Sequence, residues 1–343
     1  MIIPIIYPSA AQFWLNYTHP GYSLESRNLT DLPEDYELIA SQYEAREIAK
    51  LLGLSLPLHL VSKRKENQRH RASCVCRFRH DPFPKDSFYH FHLDSHIQNE
   101  GYEIYVACPE LCFLQAARKL DMTDLIKFGF DMCAKYKYNE FASYAQDERA
   151  IFTTPGLIEN YINTAGGFYG CRPAKKAVRF VLGNSNSPME TKLAILMVLP
   201  IRLGGYGMPK PQMNKKIDLT AAAGKKSSKS KNRFKNKNSD AVALLGYDYV
   251  HADIAWPKVV CEYNSNAAHL TPHKYTDDNN RRTALRSAGY EYIGITAGNL
   301  RSLRSIDSCM MNIRRALHLP DEAEKIKQYR KVRVEIAARL FEW

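Results

Sequence analysis

The sequence lacks several patterns that identify common classes of protein. Its eight cysteines form no paired Cys-x-x-Cys sets, which excludes a zinc ribbon or zinc finger. It has no Gly-x-Gly-x-x-Gly motif and no Gly-Lys-Ser/Thr phosphate loop, so we interpret Gly204-Gly205-Tyr206-Gly207 as a turn. No apolar run reaches the roughly 18 residues that a membrane-spanning helix needs. These absences argue against zinc-finger, nucleotide-loop and helical membrane proteins.

The start of the chain also lacks the features of a secretory signal. It is apolar but has no basic region, and Pro4 and Pro8 interrupt it. The scattered cysteines are typical of reduced cysteines in a protein core. We therefore expect a soluble cytoplasmic protein that does not enter a membrane.

Acidic residues are fewer than basic ones, and the formal net charge is +12. Such a balance favours a polyanionic partner, and DNA is the one we expect. Much of the excess falls in one run without an acid, within a basic insertion at about 220–240 that we expect to be disordered. Either this insertion aids solubility or it is an arm that follows the DNA backbone. The cations of the run are Lys225, Lys226, Lys229, Lys231, Arg233, Lys235 and Lys237.

A chain of 343 residues is long enough for two domains. We predict an N-terminal α+β domain at 1–170, regulatory or in contact with DNA, a second domain at 171–320, and a C-terminal helix at 321–343. From residue 187 the patterns alternate as helix, strand, long loop, hairpin, helix, strand and helix. This order predicts an α/β (α+β) fold with a mixed sheet, and not a parallel doubly wound one.

The hairpin of the second domain carries the strongest chemical signal. Two apolar-rich runs flank a turn at Pro257-Lys258, and counting outward from that turn places Asp253 opposite Glu262 and His251 opposite Asn264. Because side chains two apart on a strand share a face, all four lie on one face. Two opposed carboxylates about 5 Å apart repel each other, and a divalent cation between them removes that repulsion.

A third acid, Glu190, precedes the hairpin. Ser187, Pro188 and Glu190 occupy the N-cap, first and third positions of a helix, which is a capping-box pattern. The pattern supplies a purely structural role for Glu190. The other interpretation is that this helix directs its acid toward the hairpin.

The region from Ser187 to Leu300 resembles the very-short-patch-repair-like branch of the restriction-endonuclease-like superfamily. More narrowly, it resembles the domain-of-unknown-function-559 family. In that pattern an Asp lies on one strand, a Glu lies on the next strand, and a His follows the Glu. A helix with the spacing Asp-x-x-Arg comes next and ends at a Gly. The matching residues are Asp253, Glu262, His269, Asp278, Arg281, Leu285 and Gly289.

The resemblance implies a restriction-endonuclease-like mixed sheet flanked by helices, and a metal-dependent DNA endonuclease that acts in phage defence or DNA repair. Mg²⁺ or Mn²⁺ would be held by Asp253, Glu262 and Glu190. His251 or His269 would act as general acid or base, or His269 is structural. Arg281 or Lys258 would hold the phosphate, or Arg281 forms a salt bridge within its helix to Asp277 or Asp278. The catalytic set comprises Asp253, Glu262, Asn264, His251 and His269.

Two departures from the family pattern favour a rival function. Asn264 stands where the family has Asp, or Lys in the wider superfamily, and Ser265 replaces Gly. An amide can bind a metal but cannot act as a base. The rival is a non-cleaving DNA-binding regulator with a degenerate nuclease core. In the same direction, Leu58-His59-Leu60 and Cys108-Pro109-Glu110-Leu111 resemble abortive-infection-type antitoxin regulators.

Overall fold

A computed structural model of the chain describes residues 2–16, 27–34, 36, 41–93, 101–136, 150–219, 248–264 and 272–341. The chain divides into two compact units, Met1–Gly183 and Asn184–Trp343. Among the described residues, no helix is both long and apolar enough to span a membrane. His269, Ser265 and the basic run at 225–237 lie outside the described residues.

The first unit surrounds a mixed sheet with the strand order β2-β6-β7-β1-β3-β5-β4. The strands are β1 (Ile2–Ile5), β2 (Leu29–Thr30), β3 (Leu58–Ser62), β4 (Arg69–His70), β5 (Cys74–Phe78), β6 (Phe88–Leu93) and β7 (Tyr102–Ala107). The helices are α1 (Ser9–Asn16), α2 (Gln42–Leu51), α3 (Pro109–Ala116), α4 (Met122–Met132), α5 (Pro155–Thr164) and α6 (Cys171–Val178). The central strands β7, β1 and β3 bury most of their residues, and Trp14 of α1 belongs to the same apolar core.

The second unit contains a smaller mixed sheet with the order β11-β10-β9-β8. Its strands are β8 (Gln212–Asp218), β9 (Tyr249–Ala255), β10 (Val259–Asn264) and β11 (Glu291–Thr296). Its helices are α7 (Pro188–Val198), α8 (Pro272–Ser287), α9 (Leu303–Ala316), α10 (Ala323–Gln328) and α11 (Arg330–Phe341). β8, β9 and β10 are antiparallel neighbours, and β10 pairs with β11 in parallel. The expected mixed α/β architecture is therefore confirmed.

Several boundaries differ from those that the sequence pattern favours. The units divide at residue 183 and not at 170, because α6 packs against α3, α4 and α5 of the first unit. In place of one C-terminal helix, the described residues 321–341 hold two helices, and the second, α11, packs against α7.

The register of the hairpin agrees with the count from its turn. Val260 pairs with Ala255 and Cys261 with Ile254. The next step along the two strands places Glu262 across from Asp253. Burial alternates along β9, where Val250, Ala252 and Ile254 are buried, so the two acids share the opposite face.

Candidate functional site

Glu190 occupies a buried position in the first turn of α7. The Ser187 hydroxyl accepts a hydrogen bond from the Glu190 backbone N–H at 3.2 Å and donates one to Oε1 of Glu190 at 2.8 Å. Oε2 accepts from the Asn186 backbone N–H at 2.9 Å and from Nδ2 of Asn214 at 2.6 Å. Both carboxylate oxygens of Glu190 therefore have donors. The Ser187 cap is present, but the backbone N–H that the Glu190 carboxylate accepts is that of Asn186 and not that of Ser187, so the capping box is formed only in part.

Asn214 is a member of this cluster that the sequence did not single out. Its neighbours in β8 pair with Ile254 and Ala252, which places Asn214 across from Asp253. Its φ of 47° lies in the left-handed region, which Asn tolerates better than most residues. Its amide also donates to the Asn184 carbonyl at 2.9 Å. No local pattern marks this position, because its role arises only from pairing across the sheet.

Asp253 and Glu262 are held by different donors. Oδ2 of Asp253 accepts the Tyr263 backbone N–H at 2.9 Å, and within the described ranges its Oδ1 accepts no hydrogen bond. Oε1 of Glu262 accepts from Nη2 of Arg281 at 2.8 Å, and Oε2 accepts from the Tyr292 hydroxyl at 3.2 Å. Of the two acids, Asp253 thus retains an oxygen that can take a further ligand.

The pKa values of all three acids are raised. Burial, together with the charge of Asp253, raises the pKa of Glu190 to about 7, against the hydrogen bonds that lower it. Burial likewise raises the pKa of Glu262 to about 7, although the Arg281 guanidinium lowers it. Burial raises the pKa of Asp253 above its usual range as well. The three carboxylates therefore form one electrostatic cluster in which negative charge is only partly compensated.

Helix α8 carries Arg281, the cation that contacts the acidic cluster. Ala284 and Leu285 are fully buried in the core that also contains Val250 and Val260, and Arg281 lies one turn earlier on the same face. Its guanidinium bonds Glu262 and also donates to the His251 carbonyl. Within the described residues, Arg281 and Asp278 form no ion pair. The alternative interpretation, a salt bridge within the helix from Arg281 to Asp278, is therefore wrong. The side chain of Asp277 lies outside the description.

The remaining residues of the predicted site are more dispersed. The His251 side chain is exposed, with its Nδ1 3.5 Å from the Asn214 carbonyl. Asn264 is half-buried and hydrogen-bonds Tyr292, the residue that also contacts Glu262. Lys258 is exposed at the hairpin turn, four residues from Glu262, which is about 13 Å along a strand. The structure thus brings Asn264 close to the acids and leaves Lys258 away from them.

The donor chemistry of the cluster suits a hard divalent cation, because Mg²⁺ and Mn²⁺ prefer carboxylate and carbonyl oxygens. Among the described residues, no group of three or more His, Cys, Asp and Glu side chains is placed to hold a metal ion. The hydrogen bonds explain this geometry, since both oxygens of Glu190 are directed to donors of its own helix start and of Asn214. Among the three acids, Asp253 is the one with an oxygen, Oδ1, that accepts no hydrogen bond from the described residues, so an ion fits best at Asp253, where Glu262 faces it.

Comparisons with known proteins do not assign the chain to a family. No family model, no curated protein and no solved structure matches the chain. Its function must therefore be argued from the carboxylate cluster and its surroundings.

The Ser187→Ala substitution tests how the capping network serves this site. We expect it to lower the free energy of unfolding by about 1 kcal/mol, the usual effect of losing a cap. It should also raise the pKa of Glu190 further, because the hydroxyl that donates to the carboxylate is lost. Urea denaturation measures the first effect. Ser302→Ala is the matched control, because Ser302 caps α9 in the same way without a bond to the acids.

Proposed function

We propose that the second unit is a restriction-endonuclease-like core that hydrolyses DNA phosphodiester bonds with Mg²⁺ or Mn²⁺. The element order supports this proposal: α7, three antiparallel strands, α8, and a fourth strand parallel to the third. The first helix, the second strand and the third strand each contribute one acid to the cluster. This is the distribution that the sequence resemblance implies.

The observation that carries the proposal is the pairing of half-buried Asp253 with buried Glu262 across the hairpin. Two facing carboxylates with raised pKa values destabilise a fold unless a cation compensates them. Arg281 compensates part of the charge of this pair, and Glu190 adds a third acid nearby. Strongly perturbed acids of this kind are concentrated at functional sites.

Each residue of the cluster has a role under this proposal. Oδ1 of Asp253 and a carboxylate oxygen of Glu262 would hold the metal, which supplies an activated water and a positive charge beside the phosphate. Asn214, Asn186 and Ser187 fix Glu190 so that its charge faces Asp253. Arg281, whose side chain is 34% exposed, has the fork of donors that holds phosphate oxygens. His251, exposed at the edge of the cluster, is the side chain suited to proton transfer.

A plasmid-nicking assay tests this function. Supercoiled DNA incubated with the full chain should be nicked in Mg²⁺ or Mn²⁺ and remain intact in EDTA. Nicking that persists in EDTA, or that is absent with both metals, would contradict the proposal.

A second function is favoured by Asn264 together with the Arg281–Glu262 ion pair. An amide at this position supplies no base, and a guanidinium bound to Glu262 neutralises one acid without a metal. The second unit would then be a DNA-binding regulator. Such a regulator should shift plasmid DNA in a gel equally with and without metal. Under the same conditions it should not nick the DNA.

A further inference from the structure

The first unit contains a basic groove that is separate from the carboxylate cluster. Two cavities of about 530 and 770 Å³ lie side by side and share Gln68, Arg77 and Lys119 in their walls. Both belong to the first unit. The two cavities therefore adjoin, and together we call them the basic groove.

Four cations line the narrower part of the basic groove: Arg77, Arg79, Arg118 and Lys119. Within the part of the chain that the structure describes, none of these side chains forms an ion pair, and no described residue lining this part is acidic. Asp81 is the acid whose charge acts on Arg79 from outside. Burial lowers the pKa of Lys119, and the charges of Arg77 and Arg118 lower it further. The cations therefore repel one another, and an anion would remove that repulsion.

Aromatic rings lie beside these cations. The guanidinium of Arg79 lies 4.2 Å from the Phe168 ring centre and 4.8 Å from that of Phe83. Its Nε is buried and has no hydrogen-bond partner among the described residues. Arg118 covers the Tyr169 ring at 4.5 Å, yet Tyr169 remains 72% exposed. Tyr169 therefore offers an accessible ring next to the positive charge of Arg118.

The backbone at Gly170 places Tyr169 beside Arg118. Gly170 has a φ of 109°, and a Cβ at this position would lie 2.7 Å from the Leu114 carbonyl oxygen and 3.1 Å from Cγ of Arg118. Only glycine fits this approach of the chain to the end of α3. The fold thus places the backbone of Tyr169 against the end of α3, where Arg118 lies, and the two exposed side chains meet there.

We propose that the basic groove binds single-stranded nucleic acid, with Arg77, Arg79, Arg118 and Lys119 along the phosphates and Tyr169 stacked on a base. Unpaired cations interleaved with exposed aromatic rings are the combination by which proteins hold single strands. Two adjoining basic cavities favour a chain molecule over a free nucleotide, because Lys65 and Arg69 extend the positive charge into the larger cavity. This binding does not depend on the carboxylate cluster of the second unit.

Fluorescence anisotropy of labelled oligo(dT) and oligo(U) with the full chain in EDTA tests the proposal. The double variant Arg77→Gln/Arg118→Gln should weaken binding by about tenfold or more and reduce the slope of log affinity against log salt by about 1.4, since two phosphate contacts are lost. Tyr169→Ala should weaken binding about fivefold through the loss of one stacked base. The two oligonucleotides distinguish DNA from RNA.

The matched control is Arg46→Gln/Lys50→Gln, which removes the same charge from exposed positions on α2 and should change neither affinity nor slope beyond a small uniform decrease. Equal loss in the control and in Arg77→Gln/Arg118→Gln would overturn the proposal. The proposal would also be overturned if thymidine monophosphate displaced the labelled oligonucleotide as well as unlabelled oligo(dT) does at the same concentration of nucleotides. The site would then hold a free nucleotide. Plasmid nicking in Mg²⁺ should be retained in both double variants, so failure here is distinguishable from failure of the proposed nuclease.

Discussion

Asp253→Asn is expected to reduce metal-dependent nicking by at least about a hundredfold. The substitution keeps the size of the side chain and leaves an oxygen that can still accept the Tyr263 N–H, but it removes half of the facing carboxylate pair. A metal stabilises transition-state charge by several kcal/mol, and about 1.4 kcal/mol corresponds to a tenfold change in rate. Nicking rates measured at saturating Mg²⁺ or Mn²⁺ provide the comparison.

The stability of the Asp253→Asn variant shows whether a loss of nicking comes from the reaction itself or from unfolding. The introduced amide would carry no charge beside Glu190 and Glu262, so the free energy of unfolding at pH 8 should equal or exceed that of the wild type. Asp248→Asn is the control, because Asp248 is exposed just before the same strand. Equal nicking by Asp253→Asn and Asp248→Asn would exclude Asp253 from the reaction.

Raising the pH is expected to destabilise the metal-free second unit by several kcal/mol. Glu190 and Glu262 each have a pKa of about 7 in the fold, above the value of 4.5 for an unperturbed Glu. The folded state therefore binds more protons than the unfolded state between these values, and stability falls as the pH rises from about 4.5 to 7. Each carboxyl group contributes about 3 kcal/mol to this fall, since one pKa unit corresponds to about 1.4 kcal/mol.

The charged groups around Glu262 set the size of this effect. Arg281 lowers its pKa and Tyr292 donates to it, whereas Asp253 and Asp278 raise it. Hydrogen exchange of peptides covering residues 249–264, measured in EDTA and corrected for intrinsic rates, reports the stability of this sheet. Glu262→Gln should flatten the dependence on pH, and Glu291→Gln on the exposed start of β11 should not. Stability that is constant from pH 5 to 8 would show that the acids are compensated without a metal.

Local features of the site could be predicted from the sequence. The hairpin register follows from a single turn, so counting was enough to place Asp253 across from Glu262. The start of α7 follows from the Ser-Pro-x-Glu pattern, and the Ser187 hydroxyl caps the Glu190 backbone N–H as expected. The reciprocal bond of a capping box is replaced, because the Glu190 carboxylate accepts the backbone N–H of Asn186 and not that of Ser187. Such features depend on residues within one element or one turn, where periodicity and capping chemistry are decisive.

Features that depend on contacts between distant elements could not be predicted. The ion pair of Arg281 with Glu262 joins α8 to β10, whereas the sequence offers Asp278 three residues away as an equally good partner. Asn214 bonds Glu190 only because β8 pairs with β9 beside α7. The basic groove is assembled from β5, the end of α3 and the loop before α6, so its cations are scattered along the chain.

Titration of Mn²⁺ into the protein by calorimetry at pH 7.5 tests the central claim most directly, because it asks whether the facing carboxylates hold a metal ion. The expected result is one ion per chain for the wild type and for Asp248→Asn, with affinity at least tenfold lower for Asp253→Asn and Glu262→Gln. Identical binding in all four proteins, or no binding in the wild type, would contradict the assignment of Asp253 and Glu262 as metal ligands.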